Sequence, residues 1–244
     1  MNLLPEVSRN LAHDLVRQIK RFKLSRKTEI VLCPSFESLA SVQEELRKSG
    51  IALGAQDAFW QSEGAFTGEI SAVMLKDVGC KYIIVGHSER RKYLLESNEM
   101  INRKVHAVLE SGLTPILCVG ETIEERREHQ QDLTVMTQIM EGLGGINLQP
   151  EQEMIIAYEP VWVIGTGQAI DAYEADRMSQ VIRQALIDLM PLPVVENQTR
   201  IIYGGSTDAD NIQSFLNCKL IQGVLVGSAS LSTNKFIPLL KSVI

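Results

Sequence analysis

The sequence predicts an α/β fold, a barrel of parallel strands with a helix after each strand. Three observations carry this reading. Short β-rich runs alternate with helical stretches along the whole 244-residue chain, which is the pattern of an α/β fold with right-handed crossovers. Most of the runs are continuously apolar, as strands buried on both faces of a parallel sheet must be. Polar and glycine residues gather at the carboxyl ends of the runs, the face where such a barrel carries its site.

The chain opens with a helix. Pro5 suits a first turn, because its missing N–H is one that a helix start leaves unpaired anyway. From there Val7, Leu11, Leu15, Ile19 and Phe22 form a helical stripe. The strand runs come next as EIVLCP (29–34), IALGAQ (51–56), YIIVGH (82–87), PILCVG (115–120), MIIAYEP (154–160), RIIYGG (200–205) and GVLVGS (223–228). Helical stretches are predicted over 37–49, 70–79, 97–111, 122–141, 172–190 and 208–217. No GxGxxG follows the first strand, so an open doubly wound sheet is disfavoured. No linker or composition break interrupts the chain, and a single domain over 1–244 is expected. A closed barrel of this kind has eight strands. Seven are evident here, and the first helix has no strand before it. Strands 29–34 and 223–228 are therefore expected to have unpaired edges.

With 45% hydrophobic residues the chain can bury one substantial core. Its formal net charge of −6 argues against nucleic acid and anionic membranes, and means that an anionic ligand needs a local positive site. No apolar run approaches the ~18 residues of a membrane span, and the N-terminus has no signal-peptide pattern. Cys33, Cys80, Cys118 and Cys218 are scattered, without metal-ligand spacing, and read as reduced thiols of a cytoplasmic protein.

Chemistry concentrates at a few strand ends. In AYEPVWVIGTG (157–167), Glu159 ends an apolar run, where partial desolvation makes a carboxylate a stronger base. Alone, a glutamate at a strand end is usually a solvated rim residue. The next eight residues change that: Pro160 stiffens the exit, Trp162 and Ile164 are apolar anchors, and Gly165-Thr166-Gly167 can bring N–H groups close to an anion. This is the make-up of a hinged lid. In VGHSERR (85–91), His87 stands at a strand end before a short polar helical turn. A helix N-terminus beneath it favours a neutral imidazole that can donate a hydrogen bond to a carbonyl. His13, His106 and His129 fall in helical stretches and read as solvated. YGGS (203–206) and VLVGSASL (224–231) are weak signals separately, since either is an ordinary strand-to-helix turn. Together they occupy the last two strands, where this fold often builds a phosphate site on backbone N–H groups.

These stretches, with GAFTGEIS (64–71) and ILCVGE (116–121), match in order and spacing those of the triosephosphate isomerases, which the chain closely resembles over essentially its whole length. That family is itself the standard example of a tuned acid–base pair and of a closing loop. The resemblance implies a (β/α)8 TIM barrel that interconverts dihydroxyacetone phosphate and D-glyceraldehyde 3-phosphate through an enediolate. It implies Glu159 as the base, neutral His87 as the electrophile and proton shuttle, and Glu89 as support for the site. Gly165, Ser206, Gly227 and Ser228 would hold the phosphate. Residues 160–170, including Pro160, Val161, Trp162, Val163, Ile164, Thr166 and Gly167, would form the lid. Tyr203 would latch its closed form, Ile164 and Leu225 would clamp over Glu159, and Glu121 would pair with the Trp162 indole. Thr67 would insert into a partner subunit of a homodimer. Neither metal nor organic cofactor is implied, since proton transfer next to a carbonyl needs a base, an electrophile and a dry site.

The resemblance has departures. Val163 stands where alanine is usual, Gln168-Ala169-Ile170 where Lys-x-Ala is usual, Ser228 for the second glycine of a Gly-Gly pair, and Gln222 for aspartate. The family's first strand ends in Asn-x-Lys-Met-Asn, of which Met1-Asn2 match the last two residues. A positioned donor such as that lysine contributes roughly 10²–10³ in turnover. Low activity is therefore expected of these residues alone, and a non-catalytic sugar-phosphate-binding barrel is the alternative.

Overall fold

The computed structural model describes residues 2–22, 28–164 and 169–243. The elements run α1 (Pro5–Phe22), β1 (Val31–Leu32), α2 (Leu39–Leu46), β2 (Ala52–Ala55), α3 (Ala72–Val78), β3 (Cys80–Val85), α4 (Ser88–Tyr93), α5 (Asn98–Glu110) and β4 (Thr114–Val119). They continue α6 (Ile123–Arg127), α7 (Gln131–Gly142), β5 (Met154–Tyr158), α8 (Ala172–Leu189), α9 (Leu192–Gln198), β6 (Thr199–Tyr203), α10 (Ile212–Leu216), β7 (Ile221–Val224) and α11 (Thr233–Val243). The seven strands form one parallel sheet in chain order. Among the described residues no ladder joins β1 to β7, so both outer strands are edges.

The sheet curls as a TIM barrel does. Arg200, at the start of β6, donates to Glu29, just ahead of β1, at 2.8 Å although four strands separate them in the sheet. The curl creates two cores, which explains the unbroken apolar runs. Tyr82, Ile84, Ile116, Cys118, Ile155 and Ala157 face inward, with Val31, Cys33, Ala52, Ile202 and Leu225 packed against them. The alternate residues Ile83, Val85, Leu117, Val119, Met154, Ile156 and Tyr158 face outward under the helices. Side chains alternate faces along a strand, so each strand supplies both cores.

Several helices start at capping residues. Ser71, Ser97, Thr122 and Asp171 each accept a backbone N–H from the first turn of their helix, and Thr122 with Glu125 makes a full capping box.

The structure corrects some boundaries. The buried face of α1 is Ser8, Ala12, Leu15 and Ile19, so Val7 is exposed and the expected stripe is rotated. The predicted 122–141 helix breaks into α6 and α7 around His129, which has φ +56 and so lies in the break. β1 has two residues in place of the six predicted, and β7 runs Ile221–Val224 where 223–228 is predicted. Helices α9 and α11 were not predicted. The four cysteines are free thiols, and no described helix is long and apolar enough to cross a membrane.

Candidate active site

Two strand ends bring the acid–base candidates together. After β3, Gly86 takes φ +72, a conformation suited to glycine, and turns the chain into α4. His87 is the N-cap of α4, and its Nδ1 accepts the Glu89 N–H at 3.3 Å. An accepting Nδ1 assigns the ring proton of a neutral imidazole to Nε2. That Nε2 lies 3.2 Å from Glu159 Oε1. The pair is close without being aligned as a hydrogen bond, and Oε1 is a buried oxygen with no hydrogen-bond partner among the described residues. The other oxygen, Oε2, accepts the Ser88 N–H at 3.1 Å.

Glu159 is 2% exposed. Burial raises its pKa, opposed by the neighbouring His87 and by the hydrogen bond from Ser88. The Cys118 thiol, on the inward face of β4, is pushed well above the usual thiol range by burial and by this same carboxylate. Two glycines make room for Glu159. A Cβ on Gly120 would stand 1.7 Å from the Glu159 carbonyl oxygen, and one on Gly204 2.8 Å from its Cγ. Its main chain is tied to β4 by a 2.7 Å bond from its N–H to Val119 O.

The residues after Glu159 are anchored from below. Val161–Val163 form a 3-10 turn behind Pro160, and the Val161 N–H donates to Glu121 O at 3.0 Å. The buried Glu121 carboxylate accepts the Trp162 indole at 3.0 Å, the Tyr158 hydroxyl at 3.1 Å and Arg126 at 3.1 Å. The Arg126 guanidinium also lies 5.0 Å from the Trp162 ring centroid. Val163 is buried and Ile164 half-buried. Gly165, Thr166 and Gly167 lie outside the described residues. Tyr203 is buried, stacked on Phe215, with its hydroxyl against the Ile170 backbone; burial pushes its pKa up to about 12.

The other strand ends are more open. Ser206 is half-buried after Gly204-Gly205, and its carbonyl accepts from Asn211. Gly227 and Ser228 are exposed where Ser228–Leu231 begins a 3-10 turn, and no described atom lies within 4 Å of a Cβ built on Gly227. Leu225 packs on the inward cluster and donates its N–H to Tyr203 O at 2.8 Å. Glu89 contributes its N–H to His87, while its carboxylate is 71% exposed and 3.8 Å from Nδ1. Thr67 lies in an exposed loop.

Comparison with known proteins gives the same lineage from end to end. The family model for triosephosphate isomerase matches residues 2–243. The chain belongs to the triosephosphate isomerase family. It is 45% identical over 214 residues to the triosephosphate isomerase of Dictyoglomus thermophilum, covering 88% of this chain and 86% of that one. It is 44% identical over 228 residues to that of Dictyoglomus turgidum, covering 92% and 91%. The Thermoanaerobacter sp. enzyme is 40% identical over 236 residues, covering 97% and 93%.

Within this family the departures at described positions have local explanations. Val163 fills a buried position. Gln222 Oε1 accepts the Ile201 N–H at 3.1 Å, beside the register shift between β6 and β7. Neither Gly227 nor Ser228 has a positive φ, so a serine is accommodated there without strain. Sequence reasoning missed the Ser88 N–H on the carboxylate and Arg126 beneath the Trp162 ring. The first is a backbone group without a side-chain signature. The second reads as one charge in a charged helix.

Proposed function

We propose that this chain interconverts dihydroxyacetone phosphate and D-glyceraldehyde 3-phosphate, with Glu159 taking a carbon-bound proton. The observation that carries this is the Glu159 Oε1 atom: buried, without a hydrogen-bond partner among the described residues, and 3.2 Å from His87 Nε2. A buried carboxylate oxygen left unpaired is costly unless a ligand uses it. Burial makes it a better base, and the donating Nε2 beside it polarises the carbonyl and returns protons to the enediolate oxygens.

In this reading Ser206 and the N–H groups of Gly165, Gly227 and Ser228 hold the phosphate, and 160–170 close over it. Backbone donors suit a chain of net charge −6, since they bind an anion without a lysine cluster. Tyr203, Ile164 and Leu225 keep the closed site dry, and Glu89 orients His87 through its N–H. The protein acts as a cytoplasmic homodimer in which the Thr67 loop reaches the partner.

A coupled assay with the triose phosphates tests the reaction, with Glu159→Gln as control. Turnover that this substitution abolishes supports the reading, and equal rates for the two proteins sink it. Calorimetry with a phosphorylated enediolate analogue separates the alternative: binding without turnover would favour a non-catalytic sugar-phosphate-binding barrel.

A further inference from the structure

Arg91 lies in α4, behind His87, and proton transfer between His87, Glu159 and a substrate gives it no task. Its neighbour Arg90 is an ordinary ion-pairing arginine, bound to Asp57 at 2.9 Å and Glu96 at 2.7 Å. Arg91 is used differently. Its Nε donates to Gly86 O at 2.8 Å, one terminal nitrogen to Cys118 O at 3.2 Å, and the other to Asn98 Oδ1 at 2.5 Å. These partners are two main-chain carbonyls and an amide, not a carboxylate. A planar fork with fixed donor directions can span two carbonyls in a way an ammonium cannot.

One carbonyl belongs to the end of β3, which carries His87, and the other to β4, the strand to which the Glu159 main chain is bonded. Gly86 directly precedes His87. Cys118 directly precedes Val119, whose carbonyl takes the Glu159 N–H at 2.7 Å. A Cβ on Gly86 would stand 3.2 Å from the Arg91 nitrogen that reaches Cys118, so the fork lies flush against the turn. Burial lowers the pKa of Arg91, so the cation is kept there at a cost.

We propose that Arg91 is a positioning residue: its guanidinium clamps the end of β3 to the end of β4 and thereby sets where His87 Nε2 stands against the Glu159 carboxylate. This rests on reading His87 and Glu159 as the acid–base pair. Gly86, Asn98 and Cys118, its hydrogen-bond partners, lie outside β6 and β7, so the clamp acts on the proton-transfer geometry and not on phosphate binding.

Arg91→Lys keeps the charge and loses the fork. The expected result is a fall in kcat of about 10–100-fold, the scale of a misplacement near one ångström, with little change in KM. Histidine 15N spectra, with the His87 signals assigned through His87→Gln, give a readout independent of activity. In the unmodified protein His87 should show a protonated Nε2 and an unprotonated Nδ1, and in Arg91→Lys these signals should shift or split. Asn98→Ala releases only the third bond of Arg91 and should move the same signals less, which keeps the test decisive if Arg91→Lys fails to fold. Unmoved His87 signals in whichever of these variants folds, whatever happens to stability, would overturn the proposal. An unmodified chain without turnover whose His87 signals still move in Arg91→Lys would fail the isomerase reading and leave the clamp standing.

Discussion

The ends of β3 to β5 and the ends of β6 and β7 are built in opposite ways. At the first corner named side chains meet in a closed space: a 2% exposed carboxylate, an imidazole capping a helix, and glycines that leave room for nothing larger. At the second corner Gly227 and Ser228 are exposed, and the groups proposed to hold the phosphate are mostly main-chain N–H donors. Proton transfer needs a base and an electrophile at fixed separation in a site that excludes water. An anion needs only converging dipoles, which almost any side chain tolerates. Substitutions should therefore be severe at the first corner and mild at the second.

The sharpest way to break this comparison is Glu159→Gln. Loss of a positioned base should lower kcat by about 10²–10⁴-fold while a phosphorylated analogue still binds, measured by coupled assay and calorimetry. Next is Gly120→Ala, whose new methyl group would overlap the Glu159 carbonyl. It should lower stability by about 3 kcal/mol, read from the denaturant midpoint. Trp162→Phe removes a donor from the buried Glu121 carboxylate and should cost about 1.5–3 kcal/mol in the same measurement. Ser228→Gly should have the smallest effect, with kcat, KM and stability close to the unmodified values, because the backbone there does not require glycine. A large rise in KM at this last position would end the contrast between the corners.

Stability against pH sharpens it further. Glu159 has a pKa raised by burial above its ordinary 4.5. A carboxyl group with a raised folded-state pKa favours the fold below the unfolded value, and that contribution is lost as pH rises through the folded value. Glu159→Gln should thus be more stable than the unmodified protein at neutral pH, and the gap should close as pH falls toward 4.5. A gap independent of pH would mean that the carboxylate is not ionised against its surroundings. The acid limb of kcat/KM should likewise lie above the ordinary glutamate range.

Legibility in the sequence divides along the same line. Strand runs were legible because both faces of a curled sheet are apolar, and Glu159 and His87 stood out as polar residues ending such runs. Helices α9 and α11 carry prolines, Pro191 and Pro193 at the start of one and Pro238 inside the other, and proline is a residue that ordinarily ends or breaks a helix. The break at His129 has no glycine or proline to announce it. The rotation of α1 was not legible either, because Ser8 and Ala12 are buried for their small size and not for their hydrophobicity. Arg91 and the Ser88 N–H act through the main chain, which residue identity does not encode.

At the opposite rim of the sheet, Arg200 joins Glu29 and Glu153, and Tyr82 reaches Glu29 from inside the curl. Glu29 and Glu153 precede their strands, and Arg200 and Tyr82 lie in the first halves of β6 and β3, away from every group assigned to chemistry. The molecule thus has a mounting end and a working end. An engineer could randomise the loops that leave the strands and inherit the curvature unchanged, provided this polar staple is left in place.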